Sequence, residues 1–182
     1  LTDFGSQIIQ SRVELIDELR PLVLAAYTDL APESGETSIE YRSFLGDDVG
    51  TSLETIKAGF HEAMANARKS ELERGMSLVG PHRDDVFLGL RSLPAKGYAS
   101  HGESWSYALA LKLASAALLR KDSRAGDPVL ILDDVFAELD IVRRSRLAKL
   151  IADNEQVIIT AAVAEDIPSE LRASRFAVLA GT

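Results

Sequence analysis

A chain of 182 residues is the size of one domain, or of one domain with a substantial appendage. Hydrophobic residues make up 46% of it, enough for a packed core and too much for a disordered chain, while 20 Lys and Arg against 28 Asp and Glu give a formal charge of -8 that argues against coating nucleic acid non-specifically and leaves only a small local patch for DNA contact. There is no cysteine, so disulfides and thiolate metal sites are excluded and a cytoplasmic home is expected; no apolar run approaches the ~18 residues of a membrane span.

The chain begins at Leu1 and not at Met, which reads as a piece of a longer protein, and "LTDFGSQIIQSR" has neither the basic start nor the apolar centre of a secretion signal. Residues 3–30 read as helix, with Phe4, Ile8, Leu15, Leu19, Leu22 and Ala26 near helical spacing; Pro21 predicts a kink or two helices. "APESGE" (31–36) reads as a loop, "TSIEYRSF" (37–44) as a half-exposed strand and "GDDVG" (46–50) as another loop. Residues 52–75 form an amphipathic helix stopped by Gly75, too short for sustained heptads. "MSLVG" (76–80) and "DVFLGL" (85–90) read as strands flanking "GPHRD". Then follow a helix over 103–120, a strand over 128–133, a helix over 140–153, a strand over 156–160, a short helix near 166–171 and a last strand over 175–180. Alternation of this kind predicts α/β layering with a largely parallel sheet. We place a boundary near residue 75, with a mainly helical lobe at 1–75 and half of an α/β domain at 76–182. No internal repeat or low-complexity tract is present.

Two stretches carry candidate chemistry. "PVLILDDVFAELD" (128–140) runs four apolar residues into Asp133 and Asp134, with Asp140 six residues on. In an open α/β sheet, ligands bind at the carboxyl ends of strands. A carboxylate there suits Mg²⁺, and a second beside it can orient or deprotonate a water attacking a phosphate. Equally, Asp133 ends a strand and Asp134 starts a turn. The second stretch, Ser100-His101-Gly102-Glu103, stands immediately before a helix. Glycine lets backbone approach a ligand, and unpaired N–H groups at a helix start attract phosphate. Ser-x-x-Glu is also the capping-box pattern, and both readings hold together. His61, His82 and His101 show no metal-ligand spacing. His82, Arg83 and Asp84 fit an ion-paired turn better than a nucleotide-side cluster. "VRRSR" (142–146) is a basic cluster for DNA or partner contact or, more commonly, a solvated helix face. Trp105 belongs to the core more than to base stacking.

In order, these stretches resemble the ABC-type ATPase heads, and within them the RecF family. "SHGES" matches the signature loop, "LILDD" the Walker B strand and "ELD" the D-loop; "GPHRDD" (80–85) is the piece that favours RecF. The resemblance covers essentially residues 76–165, and the preceding lobe fits only by position and composition. It implies an α/β fold: the C-terminal half of an ABC-type P-loop ATPase head, preceded by a mainly helical lobe. It further implies that Asp133 holds the Mg²⁺ of MgATP, that Asp134 stands where a glutamate usually polarises the attacking water, and that Ser100 and Gly102, with Glu103 where glutamine is usual, meet the γ-phosphate of ATP on the other protomer. Asp140 would bridge the two protomers. By the same resemblance the whole protein is a slow, ATP-dimerising enzyme of DNA replication, recombinational repair and the SOS response. It would bind gapped DNA at double-stranded/single-stranded junctions and act with RecR and RecO, and indirectly RecA.

Three departures bear on this. His101 replaces a usual glycine, Ala161 stands where many such enzymes have a switch histidine, and no lysine follows a glycine, so the chain has no Gly-x-x-x-x-Gly-Lys-Ser/Thr phosphate loop. The chain alone is therefore expected to bind ATP poorly. The alternatives are a non-catalytic head-like dimerisation module, and another SMC-like ABC head.

Overall fold

The computed structural model describes residues 1–46, 49–123 and 126–178. Helix α1 (Thr2–Leu30) runs as one helix through Pro21, so the expected break is absent. Proline costs that turn one backbone hydrogen bond, and the residues either side, Leu19 and Val23, are buried. The buried stripe also differs from the one the spacing predicts. Ile9, Ile16, Leu19, Val23, Tyr27 and Leu30 face the core, whereas Phe4, Ile8 and Leu15 are exposed. Apolar residues on two faces of α1 make the stripe ambiguous until its neighbours are known.

A 3-10 turn, Pro32–Ser34, leads into β1 (Thr37–Arg42). Helix α2 (Leu53–Arg74) starts where the Ser52 side chain accepts from the Thr55 N–H and stops at Gly75, whose φ of 65° is the left-handed conformation that glycine adopts freely. The strand expected over 76–80 does not form. The Leu78 N–H donates to the Glu71 carboxylate at 2.7 Å, Ser77 Oγ to the Val79 carbonyl at 3.1 Å and Arg83 to the Ser77 carbonyl at 2.6 Å. Side chains thus satisfy backbone groups that a ladder would otherwise use.

Strand β2 (Asp85–Leu90) pairs antiparallel with β1 along its full length, from Thr37 opposite Leu90 to Arg42 opposite Asp85. A two-residue strand, β3 (Leu93–Pro94), adds to β2. The single turn α3 (Ala95–Tyr98) precedes α4 (His101–Asp122). Strand β4 (Leu130–Asp133), α5 (Ile141–Ile151) and β5 (Val157–Thr160) follow, with β4 and β5 parallel. The largely parallel sheet of the sequence reading is therefore confined to this pair, and β1-β2-β3 is an antiparallel sheet. The helix expected near 166–171 is a 3-10 turn, Ala164–Asp166; Pro168 disfavours helix at the residue before it. Residues 175–178 pair with no strand among the described residues, and residues 179 and 180 of that expected strand lie outside them. So do Asp47 and Asp48 of the "GDDVG" loop.

The main core joins Leu19, Val23 and Tyr27 of α1 to Leu90, Tyr107, Leu109, Leu130, Leu132, Phe136 and Leu147. A second cluster, Ile9 with Ile56 and Phe60, fastens α1 to α2. Both the β1–β2 ladder and the α1–α4 core join residues on either side of residue 75. No helix among the described residues is long and apolar enough to cross a membrane.

Candidate functional site

Strand β4 alternates: Leu130 and Leu132 point into the core, Ile131 and Asp133 to the exposed face. Period-two alternation puts the last carboxylate on the open side of the pair. Asp133 lies opposite Thr160, the last residue of β5, and Thr160 Oγ1 donates to Asp133 Oδ1 at 2.5 Å. The chain then turns sharply. Asp134 has φ 53° and ψ 20°, a left-handed conformation that costs a non-glycine residue about 1 kcal/mol or more. Its N–H donates to both Thr160 oxygens, at 3.2 Å to the carbonyl and 3.1 Å to the hydroxyl. Fully buried Phe136 and nearly buried Leu139 anchor the 3-10 turn Val135–Glu138 that follows. Both carboxylates are exposed. Thr160, which the sequence reading passed over, fixes the pair, and the threonine at the end of the run "VIIT" was the available signal.

Ser100 caps α4 and makes both halves of a capping box. Its Oγ accepts from the Glu103 N–H at 3.3 Å, and Glu103 Oε2 accepts from the Ser100 N–H at 2.8 Å. Glu103 also pairs with Arg91, a residue held at φ 59° whose N–H donates to the Glu36 carbonyl at 2.7 Å. The bond from the Ser100 N–H, then the Ser100 hydroxyl and Arg91, hold the Glu103 carboxyl below the usual range. Glu103 therefore serves as a brace of the helix start in this structure. His101, exposed, places Nε2 3.2 Å from Glu138 Oε2 and its ring edge-on to Trp105. Trp105 is half-buried.

Asp140 caps α5, its Oδ1 accepting from the Arg143 N–H at 2.8 Å. The arginines of "VRRSR" form neither a free basic patch nor a solvated face. Arg143 reaches Asp140, Arg144 donates to the Leu139 carbonyl at 2.7 Å and pairs with Asp166 at 2.9 Å, and Arg146 meets the Leu30 carbonyl and Glu33, both at 3.1 Å. In "GPHRDD", Asp84 is a structural residue: its fully buried carboxylate accepts from Tyr41 Oη and from the Phe44 N–H at 2.8 Å, with Arg12 at 3.8 Å. Arg83 donates to the Ser77 carbonyl, and His82 is exposed.

The predicted residues thus fall into two groups. Asp133 and Asp134 meet at Thr160; Ser100, Gly102, Glu103 and Asp140 cluster at the adjoining starts of α4 and α5, with Arg143 between them. Among the described residues no group of three or more His, Cys, Asp or Glu could enclose a metal. A protein-only cage is not what Mg²⁺ needs: it keeps several waters and takes one or two carboxylates with substrate phosphates. An exposed strand-end carboxylate such as Asp133 fits that chemistry.

No family model matches the chain. Curated relatives do. A DNA replication and repair protein RecF from Beutenbergia cavernae is 53% identical over 195 residues, covering 97% of this chain and 49% of the relative. RecF proteins of Clavibacter sepedonicus and Streptomyces avermitilis are 52% and 51% identical, over 100% and 98% of this chain and 48% and 47% of theirs. The chain belongs to the RecF family. It spans about half the length of the curated RecF relatives it matches. Solved structures of the recombination mediator protein RecF bear out the fold. The RecF-ATPrS structure superposes with a TM-score of 0.76 at 25% identity, over 92% of this chain and 44% of that one. The RecF-ATP structure also gives 0.76, at 24% identity over 91% and 43%.

Proposed function

We propose that this chain is the C-terminal part of a RecF-like ATPase of DNA repair and replication, and that it supplies the half of an ABC-type head that hydrolyses ATP and meets a second protomer. The observation that carries this reading is the Asp133–Asp134 pair, exposed at the carboxyl end of a parallel strand pair and held there by Thr160, in a chain about half identical to RecF proteins. Asp133 would hold the Mg²⁺ of MgATP, which when bound neutralises phosphate charge. Asp134, set apart from the strand by its left-handed turn, orients and polarises the attacking water. A shorter aspartate in place of a glutamate suits slow turnover. Ser100 and the Gly102 backbone present a helix start to the γ-phosphate of ATP on the partner protomer, and Asp140 bridges the two protomers. ATP is then the glue of a dimer and hydrolysis its release.

The RecF relatives and the pathway named for their structures support DNA as the partner. Double-stranded/single-stranded junctions, RecR and RecO, indirect support of RecA, and a cytoplasmic site of action complete the reading. In the complete protein, Asp134→Asn is expected to preserve ATP-driven dimerisation, followed by sedimentation, and to abolish phosphate release; unchanged hydrolysis removes Asp134 from the catalytic role. The lack of a Gly-Lys phosphate loop in these 182 residues favours a second reading, a dimerisation module that binds no ATP in the ordinary way. ATP-independent dimerisation of the complete protein would establish that reading instead.

A further inference from the structure

Arg143 lies at the start of α5 with its side chain 16% exposed. Its Nη1 is 3.3 Å from Asp140 Oδ2, and its Nη2 lies 3.5 Å from Ser34 Oγ and 4.0 Å from Glu33 Oε1. The same Nη1 sits 2.8 Å from where a side chain on Gly102 would begin, so the guanidinium lies directly against the backbone of the α4 start. Its Nε is buried with no hydrogen-bond partner among the described residues. Arg146 shares the Glu33 contact, but its hydrogen bonds and ion pairs run to Leu30 and Glu33 and to neither helix start.

We propose that Arg143 is a positioning residue that ties the Gly102 turn to the Asp140 cap, so that phosphate contact at the first and protomer contact at the second strengthen each other. The inference rests on the roles given above to Ser100, Gly102 and Asp140. The guanidinium is a rigid planar fork. With Nη1 set between the Asp140 carboxylate and the Gly102 turn, and Nη2 toward Ser34 and Glu33, a shift of the cap moves the fork against the α4 backbone. A Cβ at 102 would push the fork, the far end of a flexible side chain, away from this position and loosen the tie.

The test is a double-mutant cycle in the complete protein. Ser100→Ala, Asp140→Asn and their combination are compared for the ATP concentration that half-saturates dimerisation, measured by sedimentation, first with Arg143 present and then with Arg143→Ala. Asparagine at 140 keeps the helix cap and removes the charge. With Arg143 the combined effect is expected to depart from the product of the single effects by about fivefold or more; without it the effects multiply to within about twofold. Coupling that survives Arg143→Ala, or coupling absent from the start although each single variant weakens dimerisation, overturns the proposal. Single variants that leave dimerisation unchanged instead remove the site roles on which it rests. If Arg143→Ala does not fold, Arg143→Lys takes its place in the cycle, because lysine keeps charge and stem but cannot reach Asp140 and Ser34 together.

Discussion

Tyr41 and Tyr107 show how single side chains tie the sheet to its surroundings. Tyr107 Oη donates to the Ser38 carbonyl at 2.6 Å, and Tyr41 Oη donates to Asp84. Burial pushes both phenols up from 10.0 to about 12, and for Tyr41 the bond to Asp84 adds to it. A phenol with a raised folded-state pKa holds its proton where the unfolded chain has lost it. Its stabilisation is therefore complete below pH 10 and is lost as pH rises from 10 to about 12. Denaturant midpoints are expected to fall across that window, and Tyr107→Phe to flatten the fall. An unchanged slope in that variant would show that Tyr107 titrates in the fold as it does in the unfolded chain.

At the level of elements, α1 and α2 meet at Gly5 and Phe60. A Cβ on Gly5 would stand 2.3 Å from Phe60 Cε1, and Phe60 is fully buried, edge-on to Phe44 with ring centres 4.9 Å apart. Gly5→Ala gains about 1 kcal/mol of helix propensity but overpacks a closed site at about 1–3 kcal/mol. Net destabilisation of about 1 kcal/mol is expected in urea unfolding; a stabilised variant would mean that Phe60 has room to swing. Helices with local stop and start signals were legible in the sequence: Ser52 and Gly75 bracket α2, and Ser100 opens α4. The burial face of α1 was not, because Phe4 and Ile8 are as apolar as Ile9 and Ile16, and the packing of α2, α4 and β1 decides between them. Nor was the absence of a strand at 76–80, since it depends on where Glu71 and Arg83 send their side chains.

Across the whole molecule, the candidate site divides the same way. Asp133, Asp134, Ser100 and Asp140 were legible because each ends or begins an element, and such places are marked locally. Thr160, Arg91 and Arg143 were not, because each acts on a residue distant in sequence: Thr160 on Asp133, Arg91 on Glu103 and Arg143 on Gly102. The exposed face of β4 and β5 carries Ile131 and Ile158 beside Asp133, an apolar ground for carboxylates that would work on phosphate. Residues 1–182 alone, titrated with a fluorescent ATP analogue, are expected to show no saturable binding, whereas the complete protein saturates; tight binding by this chain would place a phosphate cradle within it. The pairing of β1 with β2 has one more consequence. Everything between Arg42 and Asp85 leaves the sheet and returns to it at neighbouring points, and buried Asp84 closes the neck by holding Tyr41 and Phe44. The excursion is thus a side branch whose tip, around Gly75 at the end of α2, belongs to neither sheet. Evolution can lengthen or trim that tip, and an experimenter can graft a reporter there, without re-registering a single strand.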